Sequence, residues 1–232
     1  MKYSEPLLRG TLVKRYKRFL SDIQLPNGEV VIAHCANPGA MIGLNSAGSE
    51  VWLSRANNPA RKLAYSWELV RIGEHLVGIN TSLPNSIVAE AIQAGRIAEL
   101  RGYDQVRREV RYGVNSRIDL LLESPGKPIC YVEIKNVHLK RGPAAEFPDC
   151  PTVRGAKHLR ELTEMVAQGH RAVMVYLVQR GDCAYFSIAD DLDPAYGKAF
   201  RQALQRGVEA ICYMCKVSLD SIEIGGALPV RF

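Results

Sequence analysis

Alternating apolar and polar positions run through the first eighty residues. They predict strands over Leu12–Leu25, Glu29–His34, Glu50–Ser54, Leu63–Ile72 and Leu76–Asn80. The first two meet at Pro26-Asn27-Gly28, a strong hairpin signal because Asn and Gly tolerate the left-handed backbone of a tight turn. Cys35–Gly43 is rich in turn residues. Five short strands suit a small all-β barrel or sandwich, and a five-stranded OB-like barrel fits the length. Next comes a helical period over Pro84–Gln93, with Ile87, Val88, Ala91 and Ile92 on one face and Pro84 and Gly95 as start and stop.

From about residue 97 the pattern changes. Strands are predicted at Val106–Val114, Ser116–Glu123 and Ile129–Val137, then a helix from Thr152 to Gln168 whose inward stripe is Val153, Ala156, Leu159, Leu162 and Val166. Arg171–Gln179 is apolar enough for the middle of a sheet covered on both faces. Asp193-Pro194 caps another helix, with Tyr196, Phe200, Ala203 and Leu204 inward, and it stops at Gly207. Val208–Val217 reads as the final strand. Strands interleaved with covering helices describe an α/β domain. The expected organisation is a barrel domain over 1–82 and an α/β domain over 83–232, the latter including a connecting helix at about 84–94.

Composition narrows the class. Of 232 residues, 47% are hydrophobic and 23% charged, which excludes disorder as the main state. The longest apolar run, Ala172–Val178, is strand-sized and far short of a membrane span. Glu5 and Pro6 stand where a signal peptide needs an apolar stretch, so a cytoplasmic protein with no membrane contact is expected. Cys212-Tyr-Met-Cys215 has metal-ligand spacing but no accompanying second pair, so structural cysteines are expected over zinc.

The formal charge of +6 is unevenly placed. Residues 1–80 hold ten basic against six acidic side chains, and Arg9–Arg18 holds five basic residues and no acid. Lys14, Arg15, Tyr16, Lys17 and Arg18 mix cations with an aromatic ring, as single-stranded nucleic acid requires for backbone tracking and base stacking. A solvated strand edge is the plain alternative. Phe19 is expected in the barrel core.

The second half carries the candidate chemistry. Glu133 and Lys135 lie two apart on one strand and therefore share a face, about 6–7 Å apart along it. Pairing with the preceding strand brings Asp119 to the same place, and Glu109 on another strand offers a further acid. Two carboxylates supply hard oxygen ligands for Mg²⁺ or Mn²⁺, which polarises a phosphoryl oxygen and acidifies bound water. A neighbouring lysine orients that water or stabilises developing charge. Arg154, Lys157 and His158, three and four apart on the following helix, suit a polyanionic substrate. A solvent-facing ion pair and a solvent-facing helix are the plain alternatives.

These stretches together resemble the sugar fermentation stimulation protein A family. The resemblance rests on LLRGTLVKRYKRFLSDI near the start, HCANPGAMIGL at 34–44, RKLAYSWEL at 61–69, REVRYGVNSRIDLLL at 108–122, YVEIKNVHL at 131–139, FPDCPTVRGAKHLREL at 147–162 and the run around Arg206-Gly-Val-Glu209. It implies an N-terminal OB-fold domain and a C-terminal domain of the PD-(D/E)xK nuclease type. Asp119, Glu133 and Lys135 would form the core of that site, with Glu109 supporting. Ile118-Asp119 replaces the Pro-Asp of the motif name, and Ala36 and Pro38 stand where the family often has Pro and Thr. The resemblance further implies DNA binding without sequence preference and a link to the regulation of sugar (maltose) metabolism. Two functions remain open: a metal-dependent nuclease on DNA or RNA, and a DNA-binding accessory or regulatory protein whose nuclease-like site is unused. The oligomeric state is open too, a homodimer included.

Overall fold

The computed structural model describes residues 1–56, 58 and 60–231. Its N-terminal part contains β1 (Leu8–Tyr16), β2 (Leu20–Gln24), β3 (Val30–Cys35), β4 (Glu50–Arg55), β5 (Tyr65–Ile72) and β6 (His75–Gly78). The order is β3-β2-β1-β4-β5-β6, and a parallel pairing of β3 with β5 (Ala33↔Tyr65 to Cys35↔Trp67) closes the first five strands into the OB barrel. Inward residues such as Leu12, Ile23, Ala33, Val51, Leu53 and Trp67 fill it.

The predicted strand Leu12–Leu25 is in fact two. Lys17 and Arg18 adopt left-handed backbone (φ 46° and 64°), and Tyr16 pairs with Leu20 across the turn. Neither residue type advertises that conformation. The reversal also carries Phe19 outward: it is 44% exposed and stacks on His34, not in the core.

The second part begins with α1 (Pro84–Gln93) and continues through β7 (Gln105–Tyr112), β8 (Ser116–Glu123), β9 (Cys130–Val137), β10 (Leu139–Arg141), β11 (Ala144–Phe147), α2 (Val153–Ala167), β12 (Arg171–Val178), β13 (Tyr185–Ile188), α3 (Pro194–Gln205), β14 (Glu209–Val217), β15 (Ile222–Ala227) and β16 (Val230–Arg231). The main sheet runs β15-β14-β12-β9-β8-β7, and a smaller one runs β10-β11-β13-β16. Val208–Val217 is therefore not the last strand. The helix caps fall where expected: Thr152 accepts from Gly155 N and Asp193 from Tyr196 N. Val153, expected inward, is 86% exposed at the first turn of α2.

β12 is central, with parallel neighbours β9 and β14. One sheet face packs on α1, the other on α2 and α3. Each large side chain buried there is worth ~1.5–3 kcal/mol. Trp52 and Leu69 of the barrel join the α1-side core. Beside them Gly78 N donates to Gln179 O (2.8 Å) and Gln179 Nε2 to Asn80 O (3.0 Å). Cys212 and Cys215 enter opposite cores, so three-residue spacing on a strand separates them and they cannot share a zinc ion. All six cysteines are free, and Cys35, Cys130, Cys183, Cys212 and Cys215 are buried. Among the described residues no helix is long and apolar enough to cross a membrane.

Candidate active site

The site forms where β8 and β9 part. They pair only over Leu120↔Val132, Leu121↔Tyr131 and Leu122↔Cys130. The next step would set Asp119 opposite Glu133, but there the ladder stops. The Ile134 N–H instead donates to Asp119 Oδ2 at 2.7 Å. A side chain thus satisfies a backbone donor that the ladder has abandoned. The other Asp119 oxygen accepts from Asn85 Nδ2 at 2.8 Å, and the same amide lies 3.5 Å from Glu109 Oε1. Asn85 stands in the first turn of α1, and no sequence pattern singled it out. Glu109 is exposed and left-handed (φ 53°), so it sits at the rim, joined to the centre through Asn85.

Glu133 is the buried centre, only 2% exposed. Its Oε1 accepts from Lys135 Nζ at 2.6 Å and from His158 Nδ1. Arg154 Nε can only donate, so its 3.2 Å contact with His158 Nε2 fixes the imidazole proton on Nδ1, directed at Glu133. The fold splits Arg154, Lys157 and His158, although they lie three and four apart on one helix. His158 is buried against Glu133, Arg154 is exposed behind it, and Lys157 turns to Val114 O (2.9 Å) and Glu161 (3.5 Å). The inward aim of His158 depends on how α2 lies against the sheet, which local sequence does not encode.

The two carboxyls titrate apart. Burial, then the charge of Glu133, pushes Asp119 up to about 6, against the Ile134 amide, Lys135 and Asn85. Burial works on Glu133 in the same direction, but Lys135 and His158 outweigh it and hold the group below the usual carboxylate range. Environments that separate two neighbouring acids are typical of sites with distinct acid and base roles.

A hard divalent cation suits these donors. Glu133 Oε2 is buried with no hydrogen-bond partner, and a carboxylate oxygen left so is costly unless something binds it. Asp119 supplies a second carboxylate. Mg²⁺ commonly takes only one or two carboxylates, keeping water and substrate phosphate for the rest. Among the described residues no group of three His, Cys, Asp or Glu side chains is placed to ligate a metal.

The barrel cations lie on and around the β1–β2 turn. Lys14 is exposed, 3.4 Å from Asp22 and 5.4 Å from the Tyr16 ring centre. Arg15 is engaged with the backbone, donating to Asn37 O (2.8 Å), Gly39 O (3.0 Å) and Arg18 O (3.0 Å). Lys17 and Arg18 project from the turn into solvent.

Comparison with known proteins agrees with both halves of the fold. Residues 13–79 match the SfsA N-terminal OB domain, and residues 82–221 match the Sugar fermentation stimulation protein RE domain. The Sugar fermentation stimulation protein homolog of Paramagnetospirillum magneticum is 61% identical over 228 residues, covering 98% of this chain and 97% of its own. That of Rhodospirillum centenum is 59% identical over 229 residues, covering 98% of each. The solved structure of Pyrococcus furiosus SfsA in complex with Ca²⁺ superposes with a TM-score of 0.91 at 26% identity, covering 100% of this chain and 98% of that one. With an OB barrel followed by an α/β domain, and family matches across both, the chain belongs to the sugar fermentation stimulation protein family.

Proposed function

We propose that this chain binds DNA through its phosphates, without sequence preference, and hydrolyses phosphodiester bonds at a divalent-metal site. The observation that carries this reading is the buried, unpartnered Glu133 Oε2 beside Asp119 and Lys135. In this reading Asp119 and Glu133 hold Mg²⁺ or Mn²⁺, and the relative from Pyrococcus furiosus, solved with Ca²⁺, accords with a hard-cation site. When bound, the metal supplies Lewis acidity toward the phosphoryl oxygen and lowers the pKa of a bound water. Lys135 sets a positive charge beside the reacting phosphate, where charge develops. His158 locks the Glu133 carboxylate in position, and Asn85 does the same for Asp119 while tying Glu109 to the site. Residues 1–82 serve as the strand-gripping unit, through Lys14, Arg15, Tyr16, Lys17 and Arg18, and residues 83–232 as the catalytic unit, with Arg154 and Lys157 at its edge. In this reading the setting is cytoplasmic and a link to sugar (maltose) metabolism runs through DNA contact; the names of the relatives speak only of sugar fermentation stimulation.

Incubating plasmid, single-stranded DNA and RNA with the protein and Mg²⁺ or Mn²⁺ tests this. Metal-dependent cleavage that disappears in Asp119→Ala is expected. No cleavage with any substrate, or cleavage that persists in the variant, removes the nuclease reading. One observation favours the second reading, a DNA-binding accessory protein with an unused site: Lys135 and His158 both occupy Glu133 Oε1. That reading requires binding that weakens steeply with salt in the absence of any cleavage.

A further inference from the structure

Beyond the short pairing of β8 with β9, β7 and β8 continue together as a two-stranded arm, through Val110↔Ile118, Arg111↔Arg117 and Tyr112↔Ser116. One face of the arm is apolar. Val110, Tyr112 and Ile118 pack into the α2-side core, and the turn beyond them rests on α2, where Val114 N donates to Glu161 Oε1 at 3.2 Å. The opposite face carries Arg111 and Arg117, both exposed.

These two arginines are direct cross-strand partners. Like charges placed opposite each other destabilise a sheet, and proteins usually offset them with a nearby acid. Neither guanidinium has an ion pair, hydrogen bond or ring contact among the described residues. Other arginines on the same hairpin are partnered: Arg107 with Glu123 at 3.3 Å and Arg108 with Ser86 at 3.2 Å. The arginine pair borders a polar cleft of about 490 Å³ formed with the turn at Gly113 and Asn115. Arg117 also lies two residues from Asp119, about 6–7 Å along β8, which is close to the spacing of successive phosphates on an extended strand.

We propose that Arg111 and Arg117 form a clamp for the backbone phosphate next to the one held at Asp119 and Glu133. Two guanidinium forks facing one tetrahedral oxyanion convert a repulsive pair into a charge-assisted hydrogen-bonding site. The ligand class is a phosphodiester anion, read by charge and shape and not by base. This rests on the phosphodiester reading of the neighbouring site, and it identifies a contact on the catalytic half that the basic stripe of the barrel does not supply.

The test uses the full chain and a fluorescein-labelled single-stranded oligonucleotide with Ca²⁺ present, comparing wild type, Arg111→Gln/Arg117→Gln and an exposed control, Arg206→Gln. The double variant is expected to bind about tenfold more weakly at moderate salt, and the slope of log affinity against log salt is expected to fall by about 0.7–0.9, one phosphate's worth. The control keeps the wild-type affinity and slope. Unchanged affinity and slope in the double variant overturn the clamp and leave the nuclease reading standing. Should wild type bind no oligonucleotide, thermal melting with pyrophosphate decides. Stabilisation of wild type but not of the double variant keeps the anion clamp while removing the nucleic-acid reading, and its absence removes both. Melting without added anion separates a folding defect from lost binding, since removing two facing like charges should leave the double variant at least as stable as wild type.

Discussion

The carboxylate of Asp149 joins the barrel to the α/β domain. It accepts from Met41 N at 3.0 Å, in the turn-rich 35–43 segment, and lies 3.3 Å from His138 Nε2 at the end of β9. Gly39 comes so close that a Cβ there would stand 2.5 Å from Asp149 Oδ2. Burial favours the neutral acid, but His138 and the Met41 amide outweigh it and hold the group at about 2, below its ordinary 3.8. A folded-state pKa depressed by that much contributes about 2 kcal/mol of stability at neutral pH. The contribution is fully present above the unfolded value, roughly half gone by pH 3, and lost as pH falls through the folded value. At about 2.1 cal/mol/K of unfolding entropy per residue, a chain of this length loses about 4 °C of Tm for that amount. Asp149→Asn should therefore lower Tm by about 4 °C at pH 7, and the gap to wild type should narrow steadily below pH 4. Differential scanning fluorimetry across pH 3–8 measures both. A variant as stable as wild type at pH 7, or a gap that does not shrink on acidification, refutes the ionised latch.

The remaining expectations concern residues whose environment the fold has settled. Phe19→Ala should change stability by under about 0.5 kcal/mol, as an exposed substitution does, yet weaken single-strand binding about tenfold through lost stacking with no change in salt slope; a large drop in melting temperature would place Phe19 in the core after all. Tyr176 and Tyr196 are both fully buried, with hydroxyls 2.5 Å apart. Either Tyr→Phe change should cost about 1–2 kcal/mol by stranding the other hydroxyl, and the double change less than the sum. Strict additivity in urea unfolding would show that the hydroxyls are not each other's partners.

Local chemistry announced itself wherever a residue type had one dominant use. Asn27-Gly28 turns the β2–β3 hairpin with Gly28 left-handed, and Thr152 and Asp193 cap their helices. Alternation plus antiparallel pairing foretold the meeting of Asp119 with Glu133 and Lys135. What stayed hidden depends on three-dimensional context. Lys17 and Arg18 adopt the left-handed turn without being the residues that favour it. The strands of the small sheet span only two to four residues, too short for a period to show. His158 and Asn85 reach the carboxylates from helices whose docking no local pattern specifies, and the exposure of Val153 reflects its place at the end of a helix, beyond the core that its spacing suggested.

The insertion of Trp52 and Leu69 into the core beneath α1 bears on how this chain can be dissected. Cut at the junction, the α/β domain would expose the apolar bed those two side chains cover, and the barrel would expose the side chains themselves. Neither fragment would present the surface it has in the whole. Melting should then be a single event shared by barrel and sheet, and activity assigned to an isolated half would describe a different molecule.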